Sequence, residues 1–383
     1  MIVIATLLSL TVATAQSRVE ADATAVQRAA TAVAPHLSED ETSLDGKPGT
    51  ARLVEAQWRA VQRWAADWLD THPGADPKAL EKAGARLGQG WQTSAVGLGG
   101  RDIAVAASHG QMGTVFILGR EGRSGYRVRW SVDGAQRSLD PKADRALALW
   151  RSTVQNGRCR DGCRIPSGGV RRLPDSVDGA RRFAVEASYA QSMGATMNKQ
   201  LSLWSWRNGQ ARPLVVREFS FTLFQAGTVL RGSTLHVRAK GDWKSLSPCG
   251  MCGGRETDLR FAIAPSGVRA LPPLSLTPEI DVVDLVYWRV LMGRPVEALA
   301  SRSALKVIRA QLADRLAETD PELRSYAGMP MGWRRWTSHG MHSACLAVDG
   351  VGATAFAFDG KRRRITAARA LDPNSCQGKG TRS

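Results

Sequence analysis

Two stretches of the chain, RDIAVAASHGQMGT at 101–114 and RRFAVEASYAQSMGAT at 181–196, spell one pattern twice. With Ser108 set on Ser188, five of the first eight positions are identical. Each stretch alternates like a half-buried strand and then meets a short polar segment. A unit written twice must bury its apolar face against something, and a second copy is the nearest candidate. The repeat therefore limits the chain to architectures built from packed β-units.

Strand-type alternation recurs in DIAVAAS, TVFIL, YRVRWSV, RFAVEASY, LSLWSW, TLHVRA and LRFAIA. Asp133-Gly134 and Asn208-Gly209 supply the pairs that two-residue hairpin turns need. Looser copies follow, so the units fall near 101–139, 181–216, 234–271 and 332–370. Each reads as strand, loop, strand, Gly turn, strand. In LSLWSW, Trp204 and Trp206 share one face and Leu201 and Leu203 the other, which fits a central strand buried on both sides.

Helical periodicity occupies other parts. Val54, Trp58, Val61, Ala65 and Trp68 recur at spacings of four and three, one apolar stripe of a helix. Asp76 and Pro77 are an N-cap and first-turn proline for a shorter helix. Asp140-Pro141 opens another, through about 154. A Pro-rich boundary at 270–279 precedes a helix capped by Thr277, with Ile280, Val283, Tyr287 and Val290 on one face. A second follows, with Leu305, Ile308, Leu312 and Leu316 on one side.

The expected fold is α+β, predominantly antiparallel β. Three-stranded meander units form a sandwich or a small propeller-like array, with an N-terminal helical segment and an inserted helical hairpin. The expected segments are a signal peptide at 1–15, a helical segment at 16–95, a β-rich domain at 96–272, a helical hairpin at 273–327 and a C-terminal β unit at 328–383 that completes the β domain.

The N-terminus, MIVIATLLSLTVATAQS, sets an apolar run before an A-x-A site and predicts cleavage after Ala15, although no Lys or Arg precedes the run. No later segment is long and apolar enough to span a bilayer. The expected location is the periplasm or the exterior. Six cysteines suit disulfides in such a compartment. Sequence proximity favours Cys159–Cys163, Cys249–Cys252 and Cys345–Cys376. A redox role for CGMC needs a following helix, but a strand follows. The two Cys pairs also lie too far apart for a common zinc ribbon.

The formal charge is +17, most of it arginine and scattered along the chain. Such a surface attracts polyanions without choosing among them. No nucleic-acid motif accompanies it. The expected partners are an anionic envelope polymer or another envelope protein.

No catalytic constellation stands out. Ser303 and Lys306 form a lone S-x-x-K without its companion motifs. Met329, Met331, His339, Met341 and His342 are a soft ligand set of the kind copper prefers. The leading expectation is a non-catalytic binding or interaction module of the bacterial cell envelope, without cofactor or metal. Its site is a rim formed by the loops at 108–113, 189–197, 244–254 and 338–344, carrying Ser108, His109, Tyr189, Met193, Ser338, His339 and His342. The alternative is an envelope hydrolase pairing Glu186 with His109 or His339. A copper-handling role is the third.

Overall fold

The computed structural model describes residues 2–37, 43–44, 47, 49–110, 112–120, 122, 125–132, 145–147, 163–164, 167–190, 196–222, 228–240, 256–276, 278–317, 319, 334–338, 343–348, 352–361 and 363–372. The fold is α+β and predominantly antiparallel β. It divides into two compact units, one of 1–219, 230–235 and 261–269, the other of 220–229, 236–260 and 270–383.

The first unit opens with helix α1 (Ile2–Val33), followed by a two-residue strand β1 (Ser43–Leu44), α2 (Thr50–Thr71) and α3 (Pro77–Gly84). The α2 stripe read from the sequence is buried: Val54, Trp58, Val61 and Ala65 are at most 2% exposed and Trp68 is 9% exposed. α1 answers it with the same spacing of four and three, in Val19, Ala23, Val26, Ala30 and Val33. Two such stripes facing each other form an interlocked helical pair. Asp76 caps α3 as expected, its carboxylate accepting from the Lys78 amide at 2.8 Å.

Four antiparallel strands follow in sequence order: β2 (Trp91–Gly97), β3 (Asp102–His109), β4 (Met112–Arg120) and β5 (Tyr126–Ser131). The first begins five residues before the boundary expected at 96. After β6 (Cys163–Arg164), which pairs with β1, comes a second meander. Its strands are β7 (Ser167–Leu173), β8 (Arg181–Ala190), β9 (Thr196–Arg207) and β10 (Gln210–Thr222). The meanders thus have four strands, not three, because β2 and β7 precede the recognisable repeat. β3–β4 and β8–β9 are the second and third strands of their meanders, so the two repeated sequences occupy equivalent places. Asn208 and Gly209 have φ of 50° and 77°, the left-handed pair that a two-residue hairpin turn requires.

β3 and β4 are buried on both faces. Ile103, Val105, Ala107, Phe116 and Leu118 pack under the helices. Ala104, Ala106, Val115 and Ile117 pack against Phe183, Val185, Trp204 and Trp206 of the second meander. This three-layer order explains why DIAVAAS is apolar at nearly every position. Alanines on both faces let helix and sheet approach closely.

A carboxyl pair lies between α1 and α2. Burial and the neighbouring Asp67 push Asp22 up to about 6, against the pull of Arg63 and Arg18. The folded state therefore holds this proton more tightly than the unfolded one. Stability from this group is greatest at low pH and falls as pH rises from about 4 to about 6. Asp22→Asn is expected to raise stability at pH 8 by on the order of 1 kcal/mol, discounted for partial solvation, and to change little at pH 4. Thermal melts across that range check this; an equal effect at both pH values would contradict it.

In the second unit, the end of β10 pairs with β12 (Thr234–Lys240), Ser220 opposite Lys240. The hairpin strand β11 (Thr228–Arg231) and then β13 (Glu256–Ala264) flank β12, and β14 (Gly267–Ser275) lies at the edge. The Pro-rich stretch read as a boundary is this edge strand. Pro272 and Pro273 are tolerated there because an edge strand leaves half its amides unpaired. Helices α4 (Pro278–Leu291) and α5 (Arg302–Gln311), with a short α6 (Ala313–Leu316), form the expected helical pair. Ser301 caps α5, accepting from the Ala304 amide at 3.2 Å. The pair covers a third four-stranded meander, β15 (Arg334–Ser338), β16 (Ser343–Val348), β17 (Gly352–Phe358) and β18 (Ile365–Leu371). Val283, Tyr287, Leu305 and Ile308 close over Phe356 and Ile365. The hairpin is therefore the cover of the last meander, and the last meander belongs with it rather than with 96–219. Thr277 and most of the helix expected after Asp140 lie outside the described residues; 145–147 are helical.

Candidate functional site

Strand register decides what accompanies His109. The last residue of β3, it lies directly opposite Trp91, the first residue of β2. It shares its sheet face with Ile103, Val105 and Ala107, so it points toward the helical layer. The Trp91 and His109 rings sit 5.1 Å apart at 37°. Gly90, at φ 85°, brings the loop backbone against them; a Cβ there would lie 3.4 Å from the imidazole.

α1 supplies the facing wall. Gln27, Ala30, Thr31 and Ala34 follow at spacings of three, one and three, one side of a helix and its terminal turn. The Gln27 amide donates to the Leu87 carbonyl at 2.7 Å, tying α1 to the 3-10 turn after α3. Leu87, Gly88 and Gln89 close the third side. The result is a cleft of about 280 Å³. Its floor is apolar (Ala30, Leu87, Trp91), and its polar groups are Gln27, Thr31, Gln89 and His109. No described lining residue carries a carboxylate, guanidinium or ammonium. Such a site can hydrogen-bond and stack an uncharged polar group.

The other expected site residues are not gathered here. Ser108 is 3% exposed and has the parity of Ala104 and Ala106, so it faces the second meander, away from His109. The segment at 108–113 is a tight hairpin and not an irregular loop. Gly110 is its φ-positive residue. Tyr189 and Ser338 are placed by their backbones alone, near the ends of β8 and β15. Met193, His339 and His342 lie outside the described residues, as do Met329, Met331 and Met341. Cys159, Cys249, Cys252 and Cys376 do too; Cys163 stands in β6 and Cys345 is buried in β16. The residues 244–254 are also outside, as are 111, 191–195 and 339–342, so each of the four rim loops is undescribed in part or whole.

Glu186 is not brought to His109. Val185 and Ala187 face the first meander, so Glu186 points to the opposite face of its sheet, where it meets Arg171 at 4.0 Å. Two sheet layers separate it from the helical side on which His109 lies. Ser303 and Lys306 are both exposed on α5, with the Ser303 hydroxyl 3.1 Å from that of Ser301. Among the described residues no cluster of three or more His, Cys, Asp or Glu could hold a metal.

A different histidine has an oriented imidazole. His236 Nδ1 lies 2.7 Å from Asp258 in the second unit. Its sequence context, an ordinary strand, gave no sign of this. Trp91 and the Gln27–Thr31 pair were also missed, since their role depends on register and on where α1 lies.

No protein-family model matches the chain, and no curated protein matches it. Among solved structures it is similar to the β-propeller domain of Vanderwaltozyma polyspora Nup133, with 7% identity and a TM-score of 0.25. The match covers 48% of this chain and 46% of that one, about half of each. A likeness of that size carries no argument about this protein.

Proposed function

We propose that the protein is an exported, non-catalytic binding module of the bacterial cell envelope, and that the His109 cleft holds an uncharged polar group, a sugar unit of an envelope glycan. The observation that carries this reading is the cleft's composition. An apolar floor with a tilted Trp91–His109 ring pair lies among two carboxamides and a hydroxyl, with no charged side chain among the described lining residues. Pyranose rings offer an apolar face to aromatic rings and hydroxyls to amides.

Export is supported by the A-x-A site and by the α1 stripe, whose first core residue among the described side chains is Val19. Removal of 1–15 leaves that stripe whole. The even count of six cysteines suits disulfides in an oxidising compartment. No helix among the described residues is long and apolar enough to cross a membrane. The hydrolase alternative loses its Glu186–His109 pair, and no carboxylate among the described residues lines the cleft to orient His109. The copper reading rests on side chains outside the described residues.

The test is calorimetric titration of the periplasmic protein, its N-terminus at Gln16, with short fragments of wall glycan. His109→Ala and Gln89→Ala are each expected to weaken binding about tenfold, the loss of one good hydrogen bond or stack, with no product released. Wild-type protein that binds no glycan, or that cleaves it, would sink the reading.

A further inference from the structure

Away from the cleft, the opposite ends of the same strands carry arginines on several turns. Arg101 lies in the β2–β3 turn and reaches the Gly122 carbonyl of the β4–β5 turn at 3.4 Å. Arg127 and Arg129 lie on β5, and Arg207 and Arg212 flank the β9–β10 turn. Both meanders present this end together. Trp206 Nε1 donates to Asp102 at 2.8 Å across the layers. The Arg129 guanidinium packs at Gly209, where a Cβ would lie 2.9 Å from Nη2.

Arg129 is set there by the backbone. β5 pairs Trp130 with Ile117 and Val128 with Leu118, so Arg129 is the extra residue of a β-bulge. A bulge re-aims the side chain it carries. Arg101, Arg127, Arg129, Arg207 and Arg212 are all exposed. The local carboxylates are already engaged. Asp175 accepts from Arg172 and Arg181, and Asp178 pairs with Arg207 at 3.0 Å. Arg101, Arg127 and Arg212 pair with no described carboxylate.

We infer that this arginine-bearing end of the first unit is a docking surface for a phosphate-bearing polymer chain. Guanidinium groups match phosphate oxygens with two parallel hydrogen bonds, and several spread over turn tips suit a repeating anion better than a single small one. An extended polymer is favoured over a lipid bilayer because only two exposed large apolar side chains, Val128 and Val177, are described at this end. A membrane-docking face carries more apolar surface to insert. The surface shares no residue with the cleft, so the two readings stand or fall separately.

The probe is long-chain inorganic polyphosphate, titrated against the full protein in about 50 mM salt. R101Q/R127Q/R212Q is compared with R28Q/R52Q/R86Q, a triple of exposed arginines on the helical side of the same unit that removes the same charge. The patch variant is expected to lose affinity about tenfold or more and to flatten the salt dependence, and the control to lose less than about twofold. Equal losses would reduce the effect to net charge and overturn the proposal. So would patch-dependent binding to phosphatidylglycerol vesicles without binding to polyphosphate, or no binding at all. Should the triple variant melt early, R101Q, R127Q and R212Q singly, each expected to lose about threefold, carry the same test.

Discussion

Trp204→Ala is expected to destabilise the protein by about 4 kcal/mol, the range for removing a large aromatic from a packed interior. Trp204 is 1% exposed and sits where the two meanders of the first unit meet. Its ring is stacked on Phe183 at 6.4 Å and tilted against Trp130 at 5.1 Å. Its indole N–H donates to Ser202 Oγ at 2.7 Å. Truncation opens a cavity on both sides of the interface and strips that hydroxyl of its donor. A domain stable by about 5–15 kcal/mol loses a large share of its margin. Chemical denaturation reads this as a lower midpoint at unchanged slope. A loss under about 1 kcal/mol would mean that the meanders do not pack through Trp204.

Gly84→Ala is expected to cost about 2–3 kcal/mol, although helix propensity alone favours alanine by about 1 kcal/mol. Gly84 ends α3 with ordinary helical dihedrals, so its backbone does not require glycine. The constraint is proximity. A Cβ there would lie 2.0 Å from Thr93 Oγ1 and 2.6 Å from Thr93 Cβ. α3 would have to lift from β2, straining the bond from the Ala95 amide to Glu81 at 2.8 Å. In a double-mutant cycle, Thr93→Ala is expected to recover part of the loss, since two of the three clashing atoms vanish. A stabilising Gly84→Ala would show that helix and strand are not in contact there.

The strands were legible because their alternation survives double burial. RFAVEASY and LSLWSW give β8 and β9, and the Trp204–Leu203 division between faces is the one observed. The strands β2 and β7 were not, and β14 only in its first half. WQTSAVG and SGGVRRL are edge or near-edge strands with small and polar residues, and GVRALPPLS carries two prolines that read as a break. Such strands are held by their neighbours and not by their own propensity. The helices were clear where an apolar stripe exists, in α2, α4 and α5.

The site was half legible. His109 was singled out for the turn that follows it, but Trp91, Gln27, Thr31 and Gln89 were not. A register partner in a preceding strand and a polar pair on a helix more than 70 residues earlier leave no local signal. The expected company of His109 failed for a simple reason. Adjacent strand residues face opposite ways, so Ser108 cannot join it.

The central claim is that the protein binds a neutral glycan group in the His109 cleft without turning it over. Amide and side-chain NMR spectra recorded during titration with wall-glycan fragments test this most directly. The account predicts shifts concentrated at Gln27, Thr31, Gln89, Trp91 and His109, with the ligand spectrum unchanged over time. Shifts centred elsewhere, or new reducing-end signals from the ligand, would contradict it.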